Sequence, residues 1–187
     1  MGKSTYCQKL AYDWSVGEIP PEALFPNVEM LLLLKCRDMY AADIKEAITD
    51  QLLPQDVEGK EKENFFRFIR SNQSRILLVL DGLDELPQSL FQGFLPLIQG
   101  KVFSNIYLML TARHEAGMKV RQCCDTLLEI VGYSVSDAEK YIRKYFRKHD
   151  PWLTYKLICE LEVDPQLKEL ATNPLNLALL CLVCEET

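Results

Sequence analysis

Two short stretches of this chain carry residue types that could handle phosphate. Gly2-Lys3-Ser4-Thr5 is the second half of the pattern G-x-x-x-x-G-K-[ST]. Where such a loop opens a helix, backbone N–H groups surround the phosphates, the lysine reaches the β and γ oxygens, and the following hydroxyl coordinates Mg²⁺. Lys3 and Ser4 stand in those two places. Taken alone, an ordinary capped surface helix accounts for these four residues better. The second stretch is Ile76-Leu77-Leu78-Val79-Leu80-Asp81, an apolar run ending in a carboxylate. A buried parallel strand would deliver Asp81 to its C-terminal edge, where ligands bind in open α/β sheets, and there a carboxylate can hold Mg²⁺ directly or through water. Asp84 and Glu85 follow, so three carboxylates crowd into five positions. Like charges that close need a cation or a hydrogen-bond network, which favours a metal–phosphate site over a solvated Asp-Gly turn. Arg113 follows a third apolar run, from where it can contact a γ-phosphate; Arg37, just past the run Val28 to Lys35, is a weaker candidate. His114 and His149 are too far apart in sequence to suggest a metal pair, and no nucleophile motif is present.

These residues need a scaffold, and the apolar pattern supplies one. Tyr6 to Trp14 has helical spacing directly after the lysine motif and stops before Gly17 and Pro20-Pro21. Val28 to Lys35, Ile76 to Leu80, Ile106 to Leu110 and Thr126 to Val131 read as strands, the first three continuously apolar as in a sheet covered on both faces. Helices are expected near Ala42 to Leu53, Lys60 to Arg70 and Leu90 to Ile98, the last made irregular by Gly93 and Pro96. Strands alternating with helices indicate an α/β domain with a parallel sheet. From Ser134 the character changes. Ser136-Asp137-Ala138-Glu139 reads as a capping box, followed by an amphipathic helix, and further helices are expected over Trp152 to Val163 and Pro174 to Cys184.

The 187 residues are 48% hydrophobic and 26% charged, a globular composition. With 21 Lys+Arg against 27 Asp+Glu and a net charge of -6, no basic surface for nucleic acid is signalled. The longest apolar runs are about five residues, far short of the roughly 20 that span a bilayer, so no membrane partner is expected. Seven cysteines without framework spacing fit reduced thiols and a cytoplasmic protein. Cys181-x-x-Cys184, in a leucine-rich stretch without a second pair, reads as buried helical thiols rather than zinc ligands.

Gly2-Lys3-Ser4-Thr5, Ile76 to Glu85 (ILLVLDGLDE), Leu108 to Glu115 (LMLTARHE) and Asn173 to Cys181 (NPLNLALLC), in this order and spacing, closely resemble the NACHT nucleotide-binding domain of NOD-like receptors. The resemblance implies a P-loop NTPase sheet flanked by helices over residues 1–133, followed by a small all-α subdomain over 134–187. It also implies that the chain begins inside the phosphate loop, which in this family commonly reads G-M-G-K-S-T, and so lacks the strand before it, expected between the strands at Ile106 and Thr126. The implied activity is an ATP/ADP switch of the STAND class, at most a slow Mg²⁺-dependent ATPase, which opens on exchange of ADP for ATP and self-associates, or assembles with other NOD-like receptor chains, in innate immune signalling. By position, Gly2, Lys3, Ser4 and Thr5 would bind phosphate, Ser4 and Asp81 the Mg²⁺. Asp84 or Glu85 would orient the attacking water, Arg113 would sense the γ-phosphate, and Pro174 would approach the adenine. His114 departs from the family pattern, where many members have proline. The alternative is a non-catalytic interaction scaffold whose incomplete loop holds no nucleotide; a metabolic P-loop kinase is disfavoured because no acceptor-substrate loop is evident.

Overall fold

A computed structural model describes residues 2–19, 25–148 and 150–186, which group into two units, Gly2–Leu128 and the residues from Glu129 onward. In the first unit three apolar runs form one parallel sheet in the order β1 (Met30–Lys35), β2 (Ile76–Asp81), β3 (Tyr107–Leu110). The register pairs Met30 with Ile76 through Lys35 with Asp81, and Leu77 with Tyr107 through Leu80 with Leu110. β2 is therefore central, and all six of its residues are buried. Its alternation sorts the core into two halves, as a strand with period two must. Ile76, Leu78 and Leu80 pack with Leu32 and Leu34 of β1 and with the helices α2 (Ile44–Leu52), α3 (Gly59–Ser71) and α4 (Gln88–Ile98). Leu77 and Val79 face the other way, against Cys7 and Leu10 of α1 (Lys3–Val16). α4 runs unbroken through Gly93 and Pro96. At the end of β1 the Gln51 side chain of α2 receives the Lys35 N–H at 2.9 Å and donates to the Lys35 carbonyl at 3.0 Å, satisfying the peptide groups of the strand's last residue.

The segment Thr126 to Val131, expected as a fourth strand, is not one. It pairs with no strand among the described residues, and Leu128 and Val131 are 89% and 76% exposed. A β-prone sequence without a neighbouring ladder has no partner for its N–H and C=O groups and gains nothing from an extended register. A helix that the sequence did not announce, α5 (His114–Val120), follows β3 instead.

The second unit holds α6 (Val135–Tyr145), α7 (Pro151–Val163), α8 (Pro165–Ala171) and α9 (Pro174–Glu186) around Ile142, Phe146, Leu157, Leu177 and Cys181. The capping box of α6 lies one frame earlier than expected: Ser134, not Ser136, is the cap, and Asp137, not Glu139, is the reciprocating carboxylate. Ser134 is the last residue with extended backbone (φ -70°, ψ 166°), so the helix starts at Val135 and only Ser134 can reach back to the Asp137 N–H, at 3.2 Å. α7, α8 and α9 each begin with proline after Asp150, Asp164 and Asn173, whose side chains accept the N–H groups of Trp152, Gln166 and Leu175.

Candidate functional site

β2 ends on Asp81, and the chain leaves it through Gly82, whose φ of 81° is the left-handed conformation glycine adopts freely. That turn, followed by a short 3₁₀ segment Leu83–Glu85, keeps Asp84 and Glu85 at the same end of the sheet as Asp81. Among the described residues Asp81 is one of two buried polar residues, the other being Thr111 just past β3. They are bound to each other: the Thr111 hydroxyl donates to Asp81 Oδ1 at 2.7 Å and accepts the Gly82 N–H at 2.9 Å. The backbones are tied as well, with the Leu83 N–H on the Thr111 carbonyl at 2.7 Å and the Thr111 N–H on that of Leu80 at 3.0 Å. No ion pair among the described residues involves Asp81.

α1 reaches the same place from the other face of the sheet. Cys7, fully buried, lies beside Asp81, and its thiol is pushed up to about 12, first by burial and then by the Asp81 charge. Cys36, just past β1, is likewise pushed up to about 12, by burial and then by the charges of Asp81, Glu85 and Asp84. Lys3 and Ser4 lie four and three residues before Cys7 and so share its helix face, one turn nearer the N-terminus. Gly2, with φ 92°, precedes the helix, and no side chain caps its first N–H groups. Lys3 is half-buried; Ser4 and Thr5 are exposed.

Arg113 caps α5 and points to Asp84, its Nε 3.2 Å from Oδ2 while its backbone N–H donates to Oδ1 at 2.9 Å. Both Asp84 oxygens are therefore engaged by one residue, whereas Glu85 is exposed and folds back over Gly82. Arg37 turns to its neighbour Asp38, at 3.6 Å. Pro174 opens α9 in the second unit, and His149 lies outside the described residues. The sheet edge thus gathers Asp81, Asp84, Glu85 and Arg113 with the first turns of α1; Thr111 and Cys7 belong to this cluster and were not singled out by sequence. Their only signal was position: Thr111 is the first polar residue after an apolar strand, and Cys7 lies one turn beyond the lysine.

The donors on offer are hard oxygens, a serine hydroxyl and a buried carboxylate. No group of three or more His, Cys, Asp or Glu among the described residues could hold a metal ion by itself. Such a set fits Mg²⁺, which keeps waters and shares itself between one or two carboxylates and phosphate oxygens. No single helix among the described residues is long and apolar enough to cross a membrane.

Comparison with known proteins agrees with this geometry. The NACHT domain model matches residues 1–149. NACHT, LRR and PYD domains-containing protein 6 of Mus musculus is 26% identical over 165 residues, covering 79% of this chain and 18% of that protein. Nucleotide-binding oligomerization domain-containing protein 2 of Bos taurus is 28% identical over 193 residues, 92% of this chain and 18% of its own. Baculoviral IAP repeat-containing protein 1 of Homo sapiens is 29% identical over 182 residues, 96% and 12%. The chain thus spans less than a fifth of the length of these curated relatives. With a matched model over most of its length and a buried strand-end carboxylate beside a lysine-bearing helix start, the chain belongs to the NACHT domain family.

Proposed function

We propose that this chain is the ATP/ADP-binding part of a cytoplasmic NOD-like-receptor switch, with residues 1–133 as its nucleotide-binding domain and 134–187 as part of its helical subdomain. The observation that carries the reading is Asp81: a buried carboxylate with no basic partner among the described residues, held by Thr111 and lying beside Cys7 of the helix that opens on Gly2-Lys3-Ser4-Thr5. A desolvated carboxylate without a cation is costly, and Mg²⁺ brought in with a nucleotide would neutralise it. When bound, Mg²⁺ supplies charge neutralisation across the phosphate oxygens. Lys3 and the N–H groups of α1 would then hold phosphate, Ser4 and Asp81 would hold the metal, and Arg113 would sense the γ-phosphate by leaving Asp84 for it. Because Arg113 occupies both Asp84 oxygens, Glu85 is the better placed of the two carboxylates to orient water. Pro174 is assigned to the adenine by family position. Seven free thiols support the cytoplasmic reading. Relatives that carry nucleotide binding and oligomerisation in their names support self-association, or assembly with other NOD-like receptor chains, and a role in innate immune signalling.

Titration calorimetry with ATP and ADP, with and without Mg²⁺, tests this. Lys3→Ala is expected to weaken binding by at least about tenfold, the worth of one charge-assisted contact. Asp81→Asn should abolish the gain in affinity that Mg²⁺ gives. Any phosphate release should be slow and fall further in Glu85→Gln. Equal affinity in Lys3→Ala rejects the site. No binding by the unaltered chain favours the scaffold alternative, to which the closed Asp84–Arg113 pair also lends itself.

A further inference from the structure

The Thr111 hydroxyl has a constrained hydrogen-bonding role. A hydroxyl carries one proton and two lone pairs. One lone pair takes the Gly82 N–H at 2.9 Å, so the proton is left for Asp81 Oδ1 at 2.7 Å. The side chain is β-branched and therefore stiff about χ1. Its backbone is pinned to both sides of the β2 end by the bonds to Leu80 and Leu83. Thr111 thus has no freedom to aim elsewhere, and Asp81 has one oxygen fixed by a group that cannot move. No buried side-chain polar atom among the described residues is left without a partner.

Resting on the nucleotide reading above, we propose that Thr111 is a positioning residue for a Mg²⁺–nucleotide complex: its hydroxyl fixes the rotamer of Asp81 so that the carboxylate meets the cation already oriented. The competing role is a staple that joins the ends of β2 and β3 and would be needed equally with or without metal. The two differ in what they do to the Mg²⁺ dependence of binding. Partners that orient a metal-binding carboxylate typically change metal affinity by about 10–100-fold when removed, whereas a staple affects all nucleotide binding alike.

The measurement is the ratio of ATP affinity in Mg²⁺ to that in EDTA, by calorimetry, for the unaltered chain, T111V, T111A and T111S. T111V and T111A, which delete the hydroxyl in different ways, are expected to lower the ratio about tenfold, and T111S, which keeps it, to stay within about twofold of the unaltered chain. In the Asp81→Asn background T111A should change the ratio no further. Both deletions leave the Gly82 N–H without its side-chain acceptor, and having two of them, one of similar shape and one smaller, covers the case in which either does not fold. A ratio unchanged in the deletion variants, or lowered equally in T111S, overturns the proposal while leaving nucleotide binding standing. An unaltered chain that binds no ATP, or binds it equally with and without Mg²⁺, overturns the nucleotide reading itself and this inference with it.

Discussion

At Asp81 the chain concentrates what is most costly in a protein interior, a carboxylate almost out of water, and meets that cost with the Thr111 hydroxyl and a turn that only glycine makes without strain. Gly82 has φ 81°, and a Cβ there would lie 3.2 Å from Glu85 Oε2. Gly82→Ala should therefore cost about 1–3 kcal/mol through left-handed strain, seen as a lower urea midpoint; an unchanged midpoint would mean that the turn relaxes freely. The aspartate was legible because an apolar run ending in Asp is itself a signal. Thr111 was not, because its importance depends on a partner thirty positions away. Arg113 was legible as an arginine at a strand end, but its hold on Asp84 was not, since sequence spacing is silent on where a long side chain turns.

Among the elements, α4 shows how packing reverses a propensity. Gly93 and Pro96 argue for irregularity in the sequence, yet the helix is continuous from Gln88 to Ile98. Glycine is required there because a Cβ would stand 2.0 Å from the Ala42 carbonyl oxygen. Within a helix Gly→Ala ordinarily gains up to about 1 kcal/mol. At Gly93 it should instead cost about 1–3 kcal/mol, whereas at Gly117 of α5, with nothing within 4 Å, it should stabilise. Denaturation of the two variants side by side gives opposite signs if this packing holds; gains at both would show that α4 moves away from Ala42. The failed strand at Thr126 to Val131 and the misplaced capping frame of α6 have related causes. A strand needs a ladder that local sequence does not contain, and two serines two residues apart offer equivalent caps until the backbone decides which is the last extended residue.

Across the whole molecule, alkali sensitivity should be built into both units. Thiols that ionise at 9.0 in the free state are held protonated to about 12 at Cys7 and Cys36 of the first unit and to about 11 at Cys181 of the second. Between those values the unfolded chain binds fewer protons than the folded one, so stability falls as pH rises from 9.0 toward 12, and these groups contribute no slope below that window. The urea midpoint should therefore be flat across neutral pH and drop above 9.0, and Cys36→Ala, though less stable, should show a shallower drop; an identical slope in that variant would acquit Cys36. The amino-acid sequence by itself determined the class of this protein. Three five-residue apolar runs alternating with helical stretches suffice for a parallel α/β fold, because apolar periodicity is a local property, and the resemblance of four short motifs in order pointed to the family. What only the tertiary structure decided is which distant residues meet: Thr111 on Asp81 and Arg113 on Asp84 at the strand ends, and Gly93 of α4 against Ala42. Each joins residues distant in the chain through an orientation of about one ångström, and such contacts are set by how sheet and helices pack rather than by the spacing of letters.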